Sequence, residues 1–351
     1  MSLMDEEKPI KCVVWDLDRT LWDGVLLEGD PVAIPPAMID VITTLDQRGI
    51  LHSIASKNEH PAAMEKIREF GLEEFFLFPE INWNAKSSSI ARIRDNLDID
   101  AGSMMFVDDE QYERDEVQSV HGDILCVDAR DRETLLSHPR LNPRFVTEDS
   151  RRRRQMYLAQ FTRKRAEEGF SGPRSEFLAS MRMRLSITRA TEMDLQRAEE
   201  LTIRTNQLNT TGRTYAYEEL KEYLGSPHHD LLICELEDRY GAYGKIGLAL
   251  VERAPGGHRL RLFLMSCRVM SLGVGSVFLT HILRRAKRDG NRLRADFRHT
   301  GRNRQMYVAF KLANFKEVEL PDSDGLILEH DLSVLAPAPP YLDLTVSVPD
   351  R

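Results

Sequence analysis

The first 135 residues alternate short apolar runs with amphipathic stretches, and this alternation constrains the fold more than any other feature of the sequence. Cys12-Val13-Val14-Trp15 reads as a buried strand. Residues 36–48 read as a helix whose apolar positions are Met38, Ile39, Val41, Ile42 and Leu45, and 51–55 as a second strand. A helix over 60–70 stops at Gly71, a residue that readily closes a helix in the left-handed conformation. A short strand over 75–78, a helix over 87–97 and strands over 104–107 and 124–127 continue the pattern. Strands separated by helices pair in parallel and take helices on both faces of the sheet. Pro139 and Pro143 mark a boundary, a basic helix is expected over 148–168, and 169–173 is a loop. From about Met183 a second pattern sets in, with strands at 185–187, 231–235, 245–252 and 260–267 and helices at 192–204 and 274–287. The expected organisation is an α/β domain over 1–138, a linker and connector helix over 139–182, an α+β domain over 183–335 and an extended, proline-containing tail over 336–351.

At 351 residues the chain suits two domains, and its 42% hydrophobic and 30% charged residues are those of an ordinary globular protein. A net charge of -8 argues against nucleic acid as a partner, which needs a basic face. No apolar run approaches the roughly 20 residues of a membrane span, and the polar stretch 1–11 lacks the apolar core of a secretory signal. Cys12, Cys126, Cys234 and Cys267 are dispersed, with no CxxC pair, which fits reduced thiols in a cytoplasm. Four consecutive arginines, 151–154, open the basic stretch; they read either as a solvated helix face or as a surface for an acidic partner.

The chemistry concentrates at Asp16-Leu17-Asp18, just past the first strand. The i, i+2 spacing lets both carboxylates point the same way while strand geometry lasts. In an open parallel sheet, ligands bind beyond the carboxyl ends of the strands. Carboxylates there can hold a hard divalent cation or attack phosphorus. Ser56 follows the second strand, Lys86 opens a helix after Asn82-Trp83-Asn84-Ala85, and Asp108-Asp109 follow the strand at 104–107.

These placements, in this order through residues 11–110, resemble the four motifs of the haloacid dehalogenase (HAD) superfamily. The resemblance implies a Rossmann-like parallel sheet, Mg2+ as cofactor and a role for each residue. Asp16 would be the nucleophile and Asp18 the general acid/base. Ser56 and Lys86 would hold the phosphoryl group. Asp16, Asp108 and the backbone carbonyl of Asp18 would bind the metal, and Asp109 would assist at the metal or orient Lys86. Residues 21–35 leave room for a flap turning at Glu28-Gly29-Asp30 but not for a large cap, so a macromolecule or a second domain is expected over the site.

Residues 183–330 resemble a GNAT-type acyltransferase, on the strand, glycine loop and helix spelled by 263–275. That pattern expects Gln or Arg where this chain has Met270. Both halves together resemble the FkbH-like family. The matching residues are 11–18, Ser56-Lys57-Asn58, Asn82-Trp83-Asn84, Val107-Asp108-Asp109 with Glu113-Arg114, then 204–209 and 263–269; Arg19 stands where the family usually has Asn. The resemblance implies a glyceryl transferase/phosphatase. Its substrates would be 1,3-bisphosphoglycerate and a phosphopantetheinylated acyl carrier protein, and its glyceryl-S-carrier product would serve polyketide biosynthesis. Cys267 is then either an acyl relay, with Arg268 beside it to favour the thiolate, or a small core residue. His299 and Asn303 either orient the acceptor thiol or serve structure. Thr205, Asn206, Gln207 and Asn209 form either a ligand-facing edge or a capping loop. Asn58 joins the supporting residues, and Cys12, Cys126 and Cys234 are expected to be inert. Two other readings are a simple phosphatase with a docking module and an acetyl-coenzyme A acetyltransferase.

Overall fold

The computed structural model of the chain describes residues 8–254, 256–318 and 325–348. The start of the polar N-terminus and the last three residues of the expected tail lie outside the described residues. The chain divides into two units, Met1–Leu158 and Ala159–Arg351.

In the first unit, β1 (Cys12–Trp15), α1 (Pro36–Gln47), β2 (Leu51–Ser56), α2 (His60–Glu69), β3 (Glu80–Ile81), α3 (Lys86–Leu97), β4 (Met104–Asp108), α4 (Gln111–Val120) and β5 (Leu125–Asp128) alternate as expected. The five strands form a wholly parallel sheet in the order β3-β2-β1-β4-β5. Side chains alternate across a strand, so successive residues of β1 enter different cores. Val13 and Trp15 pack with Met38, Val41, Ile42 and Ile67 of α1 and α2. Cys12 and Val14 pack with Ile90, Ile93 and Val117 of α3 and α4. The strand order reverses between β1 and β4, which places a topological switch point where Asp16 and Asp108 emerge.

One expected strand is absent. Residues 75–78 fall in a helical turn (Glu73–Phe75) and a bend, joined to the sheet by a single bridge, His52 to Phe76; the edge strand is Glu80–Ile81. Phe76 and Leu77 are buried from this irregular segment and Phe75 and Phe78 half-buried, since burial alone does not require a ladder. The insert after Asp18 is a loop, closed by the Asp23–Ala33 bridge and turned by Gly29 at φ 79°.

The basic helix is broken at Arg152 into α5 (Glu148–Arg151) and α6 (Arg153–Glu168). Neither reading of its charge run holds throughout. Arg154 is 8% exposed, paired with Asp46 at 2.9 Å and bonded to the Glu74 carbonyl at 3.0 Å. Arg163 is paired with Asp238 at 2.7 Å and lies over the Tyr243 ring. These two guanidiniums are structural, and Arg151 and Arg152 are the exposed pair of the quartet.

The second unit contains α7 (Arg174–Ser180), β6 (Met183–Arg189), α8 (Leu195–Arg204), α9 (Tyr217–Gly225), β7 (His229–Asp238), β8 (Gly241–Ala254), β9 (Gly257–Met265), α10 (Val274–Arg288), β10 (Leu293–Phe297), α11 (Arg304–Leu312), β11 (Lys316–Val318), β12 (Leu326–His330) and β13 (Leu342–Ser347). Its eight-stranded sheet runs β11-β12-β10-β9-β8-β7-β6-β13, with β9–β10 and β13–β6 parallel and the other pairs antiparallel. The expected extended tail is thus part of the sheet: Leu342 to Ser347 pair in register with Met183 to Thr188. Among the described residues no helix is long and apolar enough to cross a membrane.

Candidate active site

The carboxyl ends of β1 and β4 bring the expected carboxylates together. The Asp16 N–H donates to the Val107 carbonyl at 3.0 Å, continuing the β1–β4 register one residue beyond the strand. Carboxylate oxygens of Asp16, Asp108 and Asp109 lie within 4.8 Å of one another. Lys86, the first residue of α3, extends its ammonium to Asp16 Oδ1 at 2.8 Å and also bonds Asp108. Glu116 of α4 fixes that helix start by accepting from the Ser87 N–H at 3.0 Å.

The cluster is nearly dry: Asp108 is fully buried and Lys86 is 5% exposed. Burial alone would lower the Lys86 pKa, but the charges of Asp16 and Asp108 outweigh it and raise it. Asp108 is pushed up to about 7, first by burial and then by the Asp16 charge, against which Lys86 acts. Asp109 is raised by the same two causes in the same order. Three carboxylates around one ammonium leave negative charge uncompensated. The donors are all hard oxygens, which is the chemistry of Mg2+ or Ca2+. The residues therefore fit the implied magnesium ion, which Asp16, Asp108 and Asp109 could hold through their side chains.

Asp18 does not join the carboxylate cluster through its side chain. Its Oδ1 accepts from Trp22 Nε1 at 2.7 Å and from the Leu26 N–H at 3.0 Å, and its Oδ2 accepts from Asn58 Nδ2 at 2.9 Å. Ser56 ends β2 and is 4% exposed. Thr20 accepts from the Asp109 N–H at 3.1 Å, and Arg114 donates to the Asp108 carbonyl at 2.7 Å. Lys57 pairs with Glu113 at 2.6 Å. Sequence reasoning missed Trp22, and it gave Thr20 and Arg114 no role beyond their places in the motifs. A Trp four residues past an aspartate carries no motif of its own, and its role emerges only when the loop folds back.

In the second unit Cys267 is exposed, on a helical turn (Cys267–Val269) after β9, and so is not a core residue. Burial raises the thiols of Cys12, Cys234 and Cys126, the last to about 11, which fits inert side chains. Arg268 turns to Ser266 Oγ at 3.3 Å and to the Tyr243 carbonyl at 3.0 Å. Asn303 is 1% exposed and donates to the carbonyls of Asn209 and Arg298, each at 2.9 Å, while its Oδ1 accepts from the Thr300 N–H. That is a structural role. His299 is exposed and packs against Phe297 and Tyr307. Asn206 and Gln207 are exposed, and Asn209 is fully buried with its Oδ1 accepting from the Thr211 and Gly212 N–H groups, so the polar cluster is divided between surface and turn.

β9 and β10 pair only at their first residues, His258 to Leu260 with Leu293 to Ala295. Beyond that point the chain's own residues 208–210 take the freed edge of β9. Met265 N–H donates to the Leu208 carbonyl at 2.9 Å, Thr210 N–H to the Phe263 carbonyl at 3.0 Å, and Phe263 N–H to Thr210 Oγ1 at 3.1 Å. Gly273, at φ 75° before α10, holds a conformation that residues with a side chain rarely adopt, and a Cβ there would push on the Tyr341 hydroxyl, 2.8 Å away.

No family model matches the chain, and no curated protein matches it. Among solved structures, it is similar to the N-terminal part of a Bacteroides fragilis protein containing a phosphatase domain and complexed with Mg. The identity is 27% over 38% of this chain and 40% of that one, with a TM-score of 0.34. The match thus spans two fifths of the Bacteroides chain. It is also similar to a HAD-superfamily hydrolase from Ehrlichia chaffeensis, at 13% identity over 37% of this chain and 97% of that one, with a TM-score of 0.31. A third is the ribosomal-protein-S18-alanine N-acetyltransferase of Escherichia coli, at 15% identity over 43% of this chain and 96% of that one, with a TM-score of 0.34.

Proposed function

We propose that the first unit transfers a phosphoryl group to Asp16 with magnesium bound by Asp16, Asp108 and Asp109. The buried Lys86 ammonium, 2.8 Å from Asp16 and bonded also to Asp108, carries this reading. A structural salt bridge needs one carboxylate; two further ones at a switch point serve a ligand with positive charge. Magnesium bound there supplies positive charge opposite the phosphoryl oxygens. Asp16 Oδ forms the bond to phosphorus while the bond from phosphorus to the leaving oxygen breaks, and Asp18 gives that oxygen its proton. Asp18 then takes a proton from the attacking water, which releases inorganic phosphate and regenerates the Asp16 carboxylate. Lys86 and Ser56 hold the non-bridging oxygens during both steps. Asn58, Trp22 and the Leu26 N–H keep the Asp18 carboxylate in place.

For the whole chain, the FkbH-like resemblance supports the finer reading of a glyceryl transferase. The substrates are 1,3-bisphosphoglycerate and a phosphopantetheinylated acyl carrier protein. A thiol sulfur bonds to the acyl carbon while the bond from that carbon to the phosphate oxygen breaks and the first phosphate leaves; the 3-phosphate ester is hydrolysed through Asp16 as above, so two phosphates are released for each glyceryl unit transferred. The exposure of Cys267 supports it as the first acceptor, with the carrier thiol displacing it afterwards. Positions 263 and 265 of β9 already bond to residues 208–210, so a pantetheine arm laid along that edge, from coenzyme A or from a carrier protein alike, would have to displace them.

The test is intact mass measurement of a holo acyl carrier protein incubated with the full chain, magnesium and enzymatically generated 1,3-bisphosphoglycerate, with phosphate assayed in parallel. A gain of one glyceryl unit that vanishes with Asp16→Asn supports the transferase. Phosphate release with an unchanged carrier mass leaves a phosphatase, and no phosphate release from any monoester overturns the reading of Asp16.

A further inference from the structure

In the second unit, β7, β8, β9 and the end of α10 surround a pocket of about 10 Å³ whose polar lining is Asp230, Arg253, His258, Arg285 and Asp289. Three nitrogens of this lining are buried and have no hydrogen-bond partner among the described residues: Arg253 Nε, His258 Nδ1 and Arg285 Nη1. We propose that the pocket binds one small monovalent inorganic anion of chloride size, held by these three nitrogens. The phosphoryl-transfer residues all belong to the first unit, and this site does not rest on that reading.

Each of the three side chains is anchored by its other nitrogens. Arg285 Nη2 donates to Asp230 Oδ2 at 3.1 Å. Arg253 Nη2 donates to the Pro227 carbonyl at 2.7 Å, and its Nε stands 3.5 Å from Asp230 Oδ2, too far for a good hydrogen bond. His258 is 7% exposed, with Nε2 at 2.8 Å from Asp289 Oδ2. A buried donor without an acceptor is costly, so three around one pocket call for a shared acceptor.

The charge balance selects an anion over a water molecule. Arg189, Arg253 and Arg285 all pair with Asp230, three guanidiniums on one buried carboxylate. Asp289 is taken by His258, whose imidazolium form donates from both nitrogens, to Asp289 and into the pocket. Those groups carry four positive charges against the two of Asp230 and Asp289, and three against two with the imidazole neutral. A neighbour feels the excess: His281, one turn before Arg285, has its pKa lowered to about 4 by burial and then by the charges of Arg285, Arg288 and Arg284. Water brings no charge to offset this, whereas a halide does, and it accepts from several N–H groups at once. Leu232, Val251 and Ile282 complete the walls, and among apolar groups the attraction is little screened. A volume of about 10 Å³ suits one occupant the size of a water molecule or a halide ion and excludes phosphate or an organic acid. A bound anion joins β8, β9 and α10, so its expected effect is on the stability of the second unit.

The test is hydrogen exchange of the full chain, read by mass spectrometry, in sodium chloride against sodium gluconate at equal ionic strength. Amides of β7 and α10 are expected to exchange more slowly in chloride, and saturably. The slowing is about 10-fold at about 100 mM chloride for a dissociation constant of about 10 mM. The strands of the first unit are the control for a general salt effect and should not change. Arg285→Gln should abolish the slowing, whereas Arg288→Gln, which removes an exposed charge from the same helix, should keep it. Broadening of the chlorine-35 NMR line by the wild type, reversed by bromide, reads the same binding and decides the matter even where Arg285→Gln does not fold. Equal exchange in the two salts, with no broadening, leaves the pocket to a water molecule and overturns the proposal. So does slowing shared by both units, or an equal loss in the two variants, which is the mark of a diffuse field rather than a site.

Discussion

His52 makes the first unit acid-sensitive in a way that can be calculated. It lies inside β2, 1% exposed, with Trp15 Nε1 donating to its Nδ1 at 3.0 Å and its Nε2 facing the Ile42 carbonyl at 3.1 Å. Since Nδ1 must accept, the proton resides on Nε2 and the ring is neutral. A second proton would set two donors against each other in a site without water. Burial accordingly lowers its pKa from 6.5 to about 4, with the Arg154 charge also lowering it. A lowered histidine binds more protons unfolded than folded between those two values, so stability rises with pH. The contribution is fully present above the unfolded pKa and is lost as the pH falls towards the folded one. At about 1.4 kcal/mol per pKa unit the loss is on the order of 2–3 kcal/mol by pH 4.5. Trp15, Trp22 and Trp83 all lie in the first unit, so tryptophan fluorescence reports its unfolding alone. The urea midpoint should drop between pH 7 and pH 4.5 by about 1–2 M more in the wild type than in His52→Gln. That amide can accept from Trp15 and donate to Ile42 but does not titrate. Equal acid shifts in the two proteins would refute the assignment of the sensitivity to His52.

Two further outcomes are expected. Asn58→Ala removes the donor at 2.9 Å from Asp18 Oδ2 and should lower kcat by about 10- to 100-fold with little change in KM, measured on p-nitrophenyl phosphate. Arg154→Ala strips the partner from Asp46 and the donor from the Glu74 carbonyl, and should destabilise the first unit by about 3–5 kcal/mol in fluorescence-monitored urea unfolding.

Much of the fold and site was legible without coordinates, and the reasons lie in particular residues. Cys12-Val13-Val14-Trp15 is apolar at every position because both faces of β1 are covered, and that is what a central parallel strand looks like in sequence. Asp16, Asp108 and Lys86 each stand within one residue of an element boundary that periodicity locates, so their convergence follows from a parallel sheet with its loops at one end. The strand expected over 75–78 failed because buried apolar residues in an irregular segment look the same as those in a ladder.

What the sequence alone determined was therefore local: which segments are strands and helices, and which carboxylates and lysine end them. The tertiary structure decided where long-range partners lie. Arg154 and Arg163 are structural rather than solvated because Asp46 and Asp238 come to meet them. Asp18 is bound by a tryptophan, a loop N–H and an asparagine from another strand exit. The tail 342–347 is a strand because the edge of β6 offers it hydrogen bonds, each residue pairing with one 159 positions earlier in the chain. Periodicity reports the environment each residue needs, whereas the identity of the group that supplies it depends on chain segments brought together only by folding.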